Sequence, residues 1–419
     1  MKNKLIDEGK LRGMAIEINE DTHKKAEINT LNDKVNLFQI TNVQNYRIKA
    51  IKNGKSAKIV CESLDDIEEI LDDLENILSI QDNDNQNELG KGTIVKEIED
   101  EIIDLNLIKK NLLELNDLKK TYENIVSIET SFCHYYEGRI LENSACNLVD
   151  QLCFNEYGAA LTVGVGENKK VAYVTYYSTK EDFAGFREAI IAKLNDLQIK
   201  LNSSSVTTKK YKVLLTNNVV TSILATFADA FNSKNIYLHD SVLENDFQKL
   251  IFSPKITMVD DASKGIIPIS FDDEGSKTKK NILINKGVFQ TKINNIEYAL
   301  KLNEETTGNA SGVNYLYIES GQKDYLELVK ELKNGIIIDE AYGFHAGVDK
   351  SNGDISVQAE GMLVEDGKII KGLNMIILST NFKEVFKNVL EVGCDCSSSN
   401  PEVCAPSLLL EDITITGGE

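Results

Sequence analysis

The stretch Phe271–Thr291, FDDEGSKTKKNILINKGVFQT, decides how the rest of the chain is read. Asp272, Asp273 and Glu274 run into Gly275 and form an acidic turn. Asn281–Ile284 and Val288–Thr291 are short β-favouring runs. Asn285-Lys286-Gly287 between them reads as a three-residue hairpin loop with glycine at the left-handed position. Adjacent carboxylates in a turn point in different directions, and crowding raises their pKa values rather than building an acid–base pair. The turn therefore reads as solvated, or as a cradle for an N-terminus at a subunit interface.

Outward from this stretch come Thr307-Gly308-Asn309, then Asn352-Gly353-Asp354-Ile355-Ser356, a second hairpin at Gly361–Ile370, and Ala405-Pro406-Ser407-Leu408-Leu409. Upstream, Tyr211–Leu215 reads as a strand and Asn218–Phe231 as a helix burying Val219, Ile223, Leu224, Phe227 and Phe231. Further helices are predicted near Asp324–Lys333, stopped by Gly335, and at Phe382–Leu390. Ala26–Ile40 and Tyr46–Val60 read as strands, the latter turning at Lys52-Asn53-Gly54-Lys55. Ser63 is the expected cap of a helix to about Leu78, with Ile67, Ile70, Leu71, Leu74 and Leu78 as its apolar stripe.

Gln81–Gly92 reads as a linker, and the apolar spacing from Val95 to Ile125 predicts one long helix. Strands follow at Ser131–Glu142, Ala159–Val165 and Val171–Tyr177, then a helix capped by Ser178 or Thr179. Hairpins and scattered helices without a βαβ rhythm predict an α+β protein with a β-rich C-terminal domain. The expected divisions are an N-terminal α+β module over 1–80, a central α+β region with the long helix over 93–202, and the β-rich domain over 209–419.

The chain has 419 residues, and 66 acidic against 46 basic residues give a formal charge of −20. Such a field repels polyanions and argues against direct contact with nucleic acid. No apolar run approaches membrane-spanning length, and Met1–Lys10 lacks the apolar core of a signal peptide. Seven unevenly spaced cysteines do not suggest a secreted disulfide framework. A cytoplasmic protein without membrane contact is expected.

Taken in order over Tyr211–Glu419, the DDEG turn, TGN, NGDIS, GMLVEDGKI and APSLLLEDITITGG resemble the C-terminal half of the TldD/PmbA family. Ala26–Cys61 and Leu141–Thr179 match more loosely. In the TldD branch, the helix after the first strand of this half bears His-Glu-x-x-x-His, two imidazoles for Zn²⁺ and a glutamate base for its bound water. Those three places fall here on Ala225, Thr226 and Ala230, and the motif occurs nowhere else in the chain. Alanine has no lone pair for a metal, and threonine is no base at neutral pH. The resemblance thus points to the TldE (PmbA) branch. It implies a heterodimeric metalloprotease acting on short or unfolded peptides and precursor peptides. Zinc would reside in a TldD-like partner, with no cofactor and no catalytic residue in this chain. Two alternatives stay open: a regulatory binding protein, as the family's label "modulator of DNA gyrase" implies, and a metallopeptidase in its own right using C-terminal cysteines.

Peptide contact is expected from Tyr342–Gly361, where His345, Gly353, Asp354, Ser356 and Gln358 combine close backbone approach with polar groups. The other lone histidines, His23, His134 and His239, have no second histidine at ligand spacing. Cys394, Cys396 and Cys404 could supply three thiolates to zinc; small buried thiols or a reversible disulfide are the preferred reading. There is no Gly-x-Ser-x-Gly, P-loop or dinucleotide-binding glycine pattern.

Overall fold

The computed structural model describes residues 1–81, 88–98, 101–166, 168–396 and 399–418; residues 82–87 of the expected linker lie outside the described residues. The first sheet contains β1 (Ala15–Leu31), β2 (Lys34–Lys52), β3 (Lys55–Cys61), β4 (Gly92–Lys96), β5 (Ile125–Asn143), β6 (Cys146–Val165) and β7 (Asn168–Ser178). Its order is β3-β2-β1-β5-β6-β4, with β7 also on β6, so strands from both sides of residues 82–87 share one sheet. The Asn53-Gly54 turn has positive φ at both residues (53° and 75°), the geometry that suits the right-handed twist of the flanking strands. Helix α1 (Lys2–Leu11) and α2 (Ile67–Ile80) cover one part of this sheet. Helix α3 (Leu105–Glu114) and α4 (Phe183–Lys200) cover another, around Phe132, Tyr157 and Phe186.

The C-terminal half contains β8 (Lys209–Leu215), β9 (Met258–Asp261), β10 (Lys280–Asn285), β11 (Val288–Phe289), β12 (Leu316–Ile318) and β13 (Gly335–Tyr342). It continues with β14 (Val348–Asp349), β15 (Asp354–Glu365), β16 (Lys368–Asn381), β17 (Val389–Val392), β18 (Val403–Cys404) and β19 (Leu408–Gly417). Strands β13-β8-β19-β16-β15 pair in sequence and β15 returns to β13, closing a ring. Closure removes the open edges that a flat sheet would present. A second sheet, β11-β10-β9-β12-β18, stands beside it. The helices here are α5 (Asn217–Thr226), α6 (Ser233–Tyr237), α7 (Ile296–Leu302), α8 (Tyr325–Leu332) and α9 (Phe382–Lys387). The α+β expectation holds.

Several element boundaries differ from the sequence reading. The long helix over Val95–Ile125 does not form. Thr93, Ile94 and Val95 pair in parallel with Asn147, Leu148 and Val149, and the helix begins only where Asp104 accepts the Asn106 and Leu107 amides. Ile102, counted in the helical spacing, is 98% exposed. Ser63 donates to Asp65, and Asp66 is the cap of α2; all five stripe residues are buried as expected. Asp182, three residues beyond Thr179 and four beyond Ser178, caps α4 through the Gly185 amide. The hairpin of the opening stretch has a two-residue turn. Lys286 and Gly287 both take positive φ, while Asn285 still pairs with Val288. Gly335 does not stop α8: Lys333 ends it at φ 57°, and Gly335 opens β13 so close to Lys212 that a Cβ would lie 2.3 Å from its carbonyl oxygen.

The acidic turn is not solvated. Asp272 is 2% exposed and accepts the amides of Glu274, Ser276 and Ala310 at 2.9–3.0 Å. Burial pushes its pKa up to about 6 even though these three bonds favour the charged form. Glu274 accepts the Ile296 amide at 2.8 Å, and Asp273 faces Arg139 at 3.1 Å and Arg47 at 3.4 Å. Asp21 on β1 sits 2.9 Å from Arg47 and 3.6 Å from Arg139. Phe271 fills a small core with Leu141, Cys146 and Leu148. Gly275, at φ 76°, approaches Gly90 so closely that a Cβ would lie 3.0 Å from its Cα. The turn is thus the bolt between the first sheet and the C-terminal half.

Burial alone would raise Asp273, but Arg139, Ser311 and Arg47 outweigh it and hold its pKa below the usual value. A depressed carboxylate contributes stability above its unfolded pKa and loses it as pH falls through the folded value. Asp273→Asn is expected to cost about 1–2 kcal/mol at neutral pH. The gap to the parent should close as pH falls below about 4, measured by urea denaturation across that range.

Candidate functional site

Helix α5 starts directly after β8, and its N-terminus is anchored by the C-terminal motif. The Asn217 amide donates to Ser407 Oγ at 3.0 Å, and fully buried Ser407 in turn donates to Asp395 at 2.5 Å. The helix does not run on to Phe231. Phe227 leaves helical geometry at φ −106°, ψ 11°, and Ala228–Phe231 forms a single 3₁₀ turn. Val219, Ile223, Leu224, Phe227 and Phe231 are all buried, so the predicted face holds across the break.

The three places aligned with the zinc-protease motif lie on this segment. Ala225 packs against the core, Thr226 donates its hydroxyl to Ser222 O at 2.7 Å, and Ala230 is 7% exposed on the 3₁₀ turn. No lone pair for a metal projects from the two alanines, and the threonine hydroxyl is spent on its own helix. These residues do not fit a zinc ion. Among the described residues, no group of three or more His, Cys, Asp or Glu side chains is arranged to hold a metal.

The residues expected to meet a peptide fall on one ladder. Asp354, Ser356 and Gln358 are exposed and alternate along β15 with buried Ile355, Val357 and Ala359. They pair in register with Asn381, Ser379 and Ile377 of β16. His345 is exposed in the turn before β14, and that turn returns along Ser356, whose amide donates to Gly347 O at 2.8 Å. Gly353 sits at φ 87° and its carbonyl accepts the Phe382 amide at 2.7 Å. The Asp354 carboxylate accepts from Asn381 Nδ2 at 3.0 Å. The structure therefore brings Asp354, Ser356 and Gln358 onto one exposed face, with His345 at its margin. Tyr342, opposite Gln358 and 40% exposed, belongs to the same face. The alternation of polar and apolar residues in DISVQA is the signal that locates it.

The cysteines divide. Cys394 and Cys396 are exposed and Cys404 is buried in β18. The Cys396 thiol turns toward Cys404 and lies 3.5 Å from Ser320 Oγ. Although Cys396 is exposed as a residue, hydrogen bonding with Cys404 and desolvation of the thiol itself push its pKa well up, which opposes the thiolate that a metal needs. Of the histidines, His134 meets Asn155 at 2.8 Å, His239 meets Glu244 at 3.1 Å, and His23 contacts Glu137.

The sequence profile described as PmbA/TldA metallopeptidase C-terminal domain matches residues 208–417, half of the chain. The chain belongs to the PmbA/TldD family. The Buchnera aphidicola (Acyrthosiphon pisum) protein named Metalloprotease PmbA homolog is 29% identical over 220 residues, 52% of this chain and 49% of that protein. Metalloprotease PmbA of Escherichia coli O157:H7 is 27% identical over 220 residues, 52% of this chain and 48% of its own. The matched part of this chain thus spans about half the length of these relatives. Two solved structures share the fold almost end to end. A Thermotoga maritima protein carrying a DNA-gyrase-modulator label superposes with TM-score 0.90 at 21% identity, covering 99% of both chains. TldE from Thermococcus kodakarensis gives TM-score 0.86 at 17% identity, covering 99% of this chain and 100% of its own.

A Cβ at Gly353 would lie 3.1 Å from Val242 and 3.2 Å from the Asn381 amide, at a φ that side chains resist. Gly353→Val should therefore lower stability by about 1–3 kcal/mol in thermal or chemical denaturation, while His345→Ala leaves it unchanged. Iodoacetamide followed by peptide mass mapping should label Cys394 ahead of Cys396 and Cys404.

Proposed function

We propose that this chain is the metal-free, TldE/PmbA-type subunit of a two-subunit metallopeptidase of the cytoplasm. A TldD-like partner carries the His-Glu-x-x-x-His helix and the zinc, and the pair trims short or unfolded peptides, precursor peptides among them. The observation that carries this reading is chemical: Ala225, Thr226 and Ala230 occupy the places where two imidazoles and a carboxylate are required. Support comes from the PmbA-named relatives and from the end-to-end likeness to a TldE fold. Peptide hydrolysis would then be performed on the partner's metal, and this chain would shape and line the shared chamber.

The face of β15 supplies a means of seating peptide. Asp354, Ser356 and Gln358 present a carboxylate, a hydroxyl and an amide at alternate positions, matching the two-residue period of an extended chain. Gly343 and Gly353, both at positive φ, keep the ends of this face free of side chains.

Purified alone, the chain should hold no stoichiometric zinc by elemental analysis and cleave no unfolded peptide. Combined with a His-Glu-x-x-x-His partner it should support chelator-sensitive cleavage. One tightly bound zinc per isolated chain, together with cleavage by that chain, would overturn the assignment. His345→Ala and Asp354→Ala should assemble with the partner and reduce cleavage by about tenfold. Full cleavage by both variants would remove this face from the chamber.

A further inference from the structure

A cleft of about 570 Å³ opens between α4 and the start of α5. Its wall includes Lys193 and Asp196 from α4, Tyr325 from α8, Asp339 and Glu340 from β13, and Asp395. Four carboxylates thus meet one lysine on the wall, with Lys200 just behind it. Lys200 is bound to Asp339 at 2.5 Å, and Lys193 pairs with Glu340. Asp395 is engaged by the Ser407 amide at 2.8 Å and hydroxyl at 2.5 Å, so those donors are internal. Pairing each lysine with one carboxylate leaves the cleft with two surplus negative charges, those of Asp196 and Asp395.

A second feature marks the cleft as built for a donor. Asp339 is 5% exposed, and its Oδ1, unlike the oxygen bound to Lys200, has no hydrogen-bond partner. Thr216 Oγ1, on the same wall, is likewise buried without a partner. A buried carboxylate oxygen left unmatched is destabilising. Burial, reinforced by Asp339 and partly offset by Lys193 and Lys200, pushes Asp196 up to about 6. The Tyr325 phenol, buried beside Asp196, Asp339 and Asp395, is shifted upward as well. No three of these groups are arranged as metal ligands among the described residues. Oxygens spread around a cleft suit a group with several N–H donors pointing in different directions.

We propose that this cleft binds an organic cation, the ammonium or guanidinium group of a peptide. Its donors would reach the Asp196 carboxylate and, through a small shift of the wall, the buried, unpartnered oxygen of Asp339, with Thr216 and Tyr325 hydroxyls beside them. The −20 charge of the chain raises the local concentration of such ligands. That the cation comes on a peptide rests on the reading of the chain as a peptidase subunit; the charge preference rests on the cleft alone. Asn218, Thr221 and Ser222 also line it, one to two turns before Ala225, so a cation seated here would anchor a peptide along the face of α5 that lacks metal ligands.

The test is calorimetric titration of the full chain, without partner and without cleavage, by three short peptides. One is blocked at both ends and contains lysine, one is neutral with a free amino terminus, and one is neutral and blocked. At least one cationic peptide should bind about tenfold more tightly than the blocked neutral one. Which of the two does so separates a side-chain cation from an amino terminus. Asp196→Asn should weaken that binding about tenfold, while Ser79→Ala, on exposed α2 far from the cleft, leaves it unchanged. Affinity should also fall as pH drops through about 6, where Asp196 gains its proton; Asp339 and Glu340 face it from β13, Tyr325 from α8, and Lys193 and Lys200 from its own helix. Equal binding of all three peptides, no binding of either cationic peptide at millimolar concentration, or an unaltered Asp196→Asn variant would overturn the proposal. If Asp196→Asn fails to fold by circular dichroism, the peptide comparison and pH profile of the parent decide. No peptidase activity enters this measurement, so its failure leaves the subunit assignment standing, and loss of that assignment leaves the charge preference standing.

Discussion

The ion and hydrogen-bond cluster at Asp272-Asp273-Glu274 is the constraint on which the two halves of this protein depend. Three consecutive acids face three directions. Asp272 turns inward and holds the turn and the Ala310 amide, Glu274 holds the start of α7, and Asp273 reaches Arg47 and Arg139 on the first sheet. Two guanidiniums shared between Asp21 and Asp273 keep the desolvated charges matched. Around this bolt, Ser270 donates its amide to Asp150 and Lys96 reaches Pro268 O, so the whole stretch before the turn is stitched to the first sheet. Removing one partner would leave a half-buried charge uncompensated, which costs more than the intact pairs contribute.

The same economy explains the C-terminal half. Asn309 donates to Asp260 at 2.7 Å and to Gly312 O, while Asn281 donates to Asn309, so the TGN and hairpin motifs saturate one another. Asp260 is completely buried and is matched by two further amides at 2.8 and 2.9 Å. Ser407 plays the corresponding part at α5, joining Asp395 to the helix N-terminus. The motifs that identify the family are therefore mainly polar joints inside the fold. In those joints the residue types answer the need to satisfy buried polar groups. The exposed residues Asp354, Ser356 and Gln358, and the cleft around Asp196 and Asp339, remain as surfaces with chemistry to offer.

The donor-free helix α5 fits this division of labour. It keeps the position between β8 and the core, packs Val219, Ile223 and Leu224 inward, and carries Ala225 and the internally bonded Thr226 at two of the aligned places, the 3₁₀ turn after it carrying the third, Ala230. A helix serving only as scaffold has no need of imidazoles there. The polar side chains one to two turns earlier, Asn218, Thr221 and Ser222, line the cleft.

Local chemistry made much of this legible before any coordinates. Asn53-Gly54 and Asp366-Gly367 mark tight turns because both residues of each adopt positive φ, a demand that the residue types themselves declare. The stripe Ile67, Ile70, Leu71, Leu74, Leu78 and the face of α5 were readable because helical periodicity is carried within one segment. The absence of metal donors at Ala225, Thr226 and Ala230 is likewise a property of side-chain chemistry alone. Tertiary structure decided the rest. Ile94 and Val95 became a strand because Leu148 and Val149 offered a ladder some fifty residues away. The acidic turn became a buried bolt because arginines 226 and 134 residues upstream meet Asp273. The cleft exists only where α4, α8 and β13 converge, so its carboxylates, separated along the chain, have no local pattern to announce them. Periodicity and turn chemistry are nearest-neighbour effects; charge matching and cavity lining are set by which distant segments the folded chain brings together.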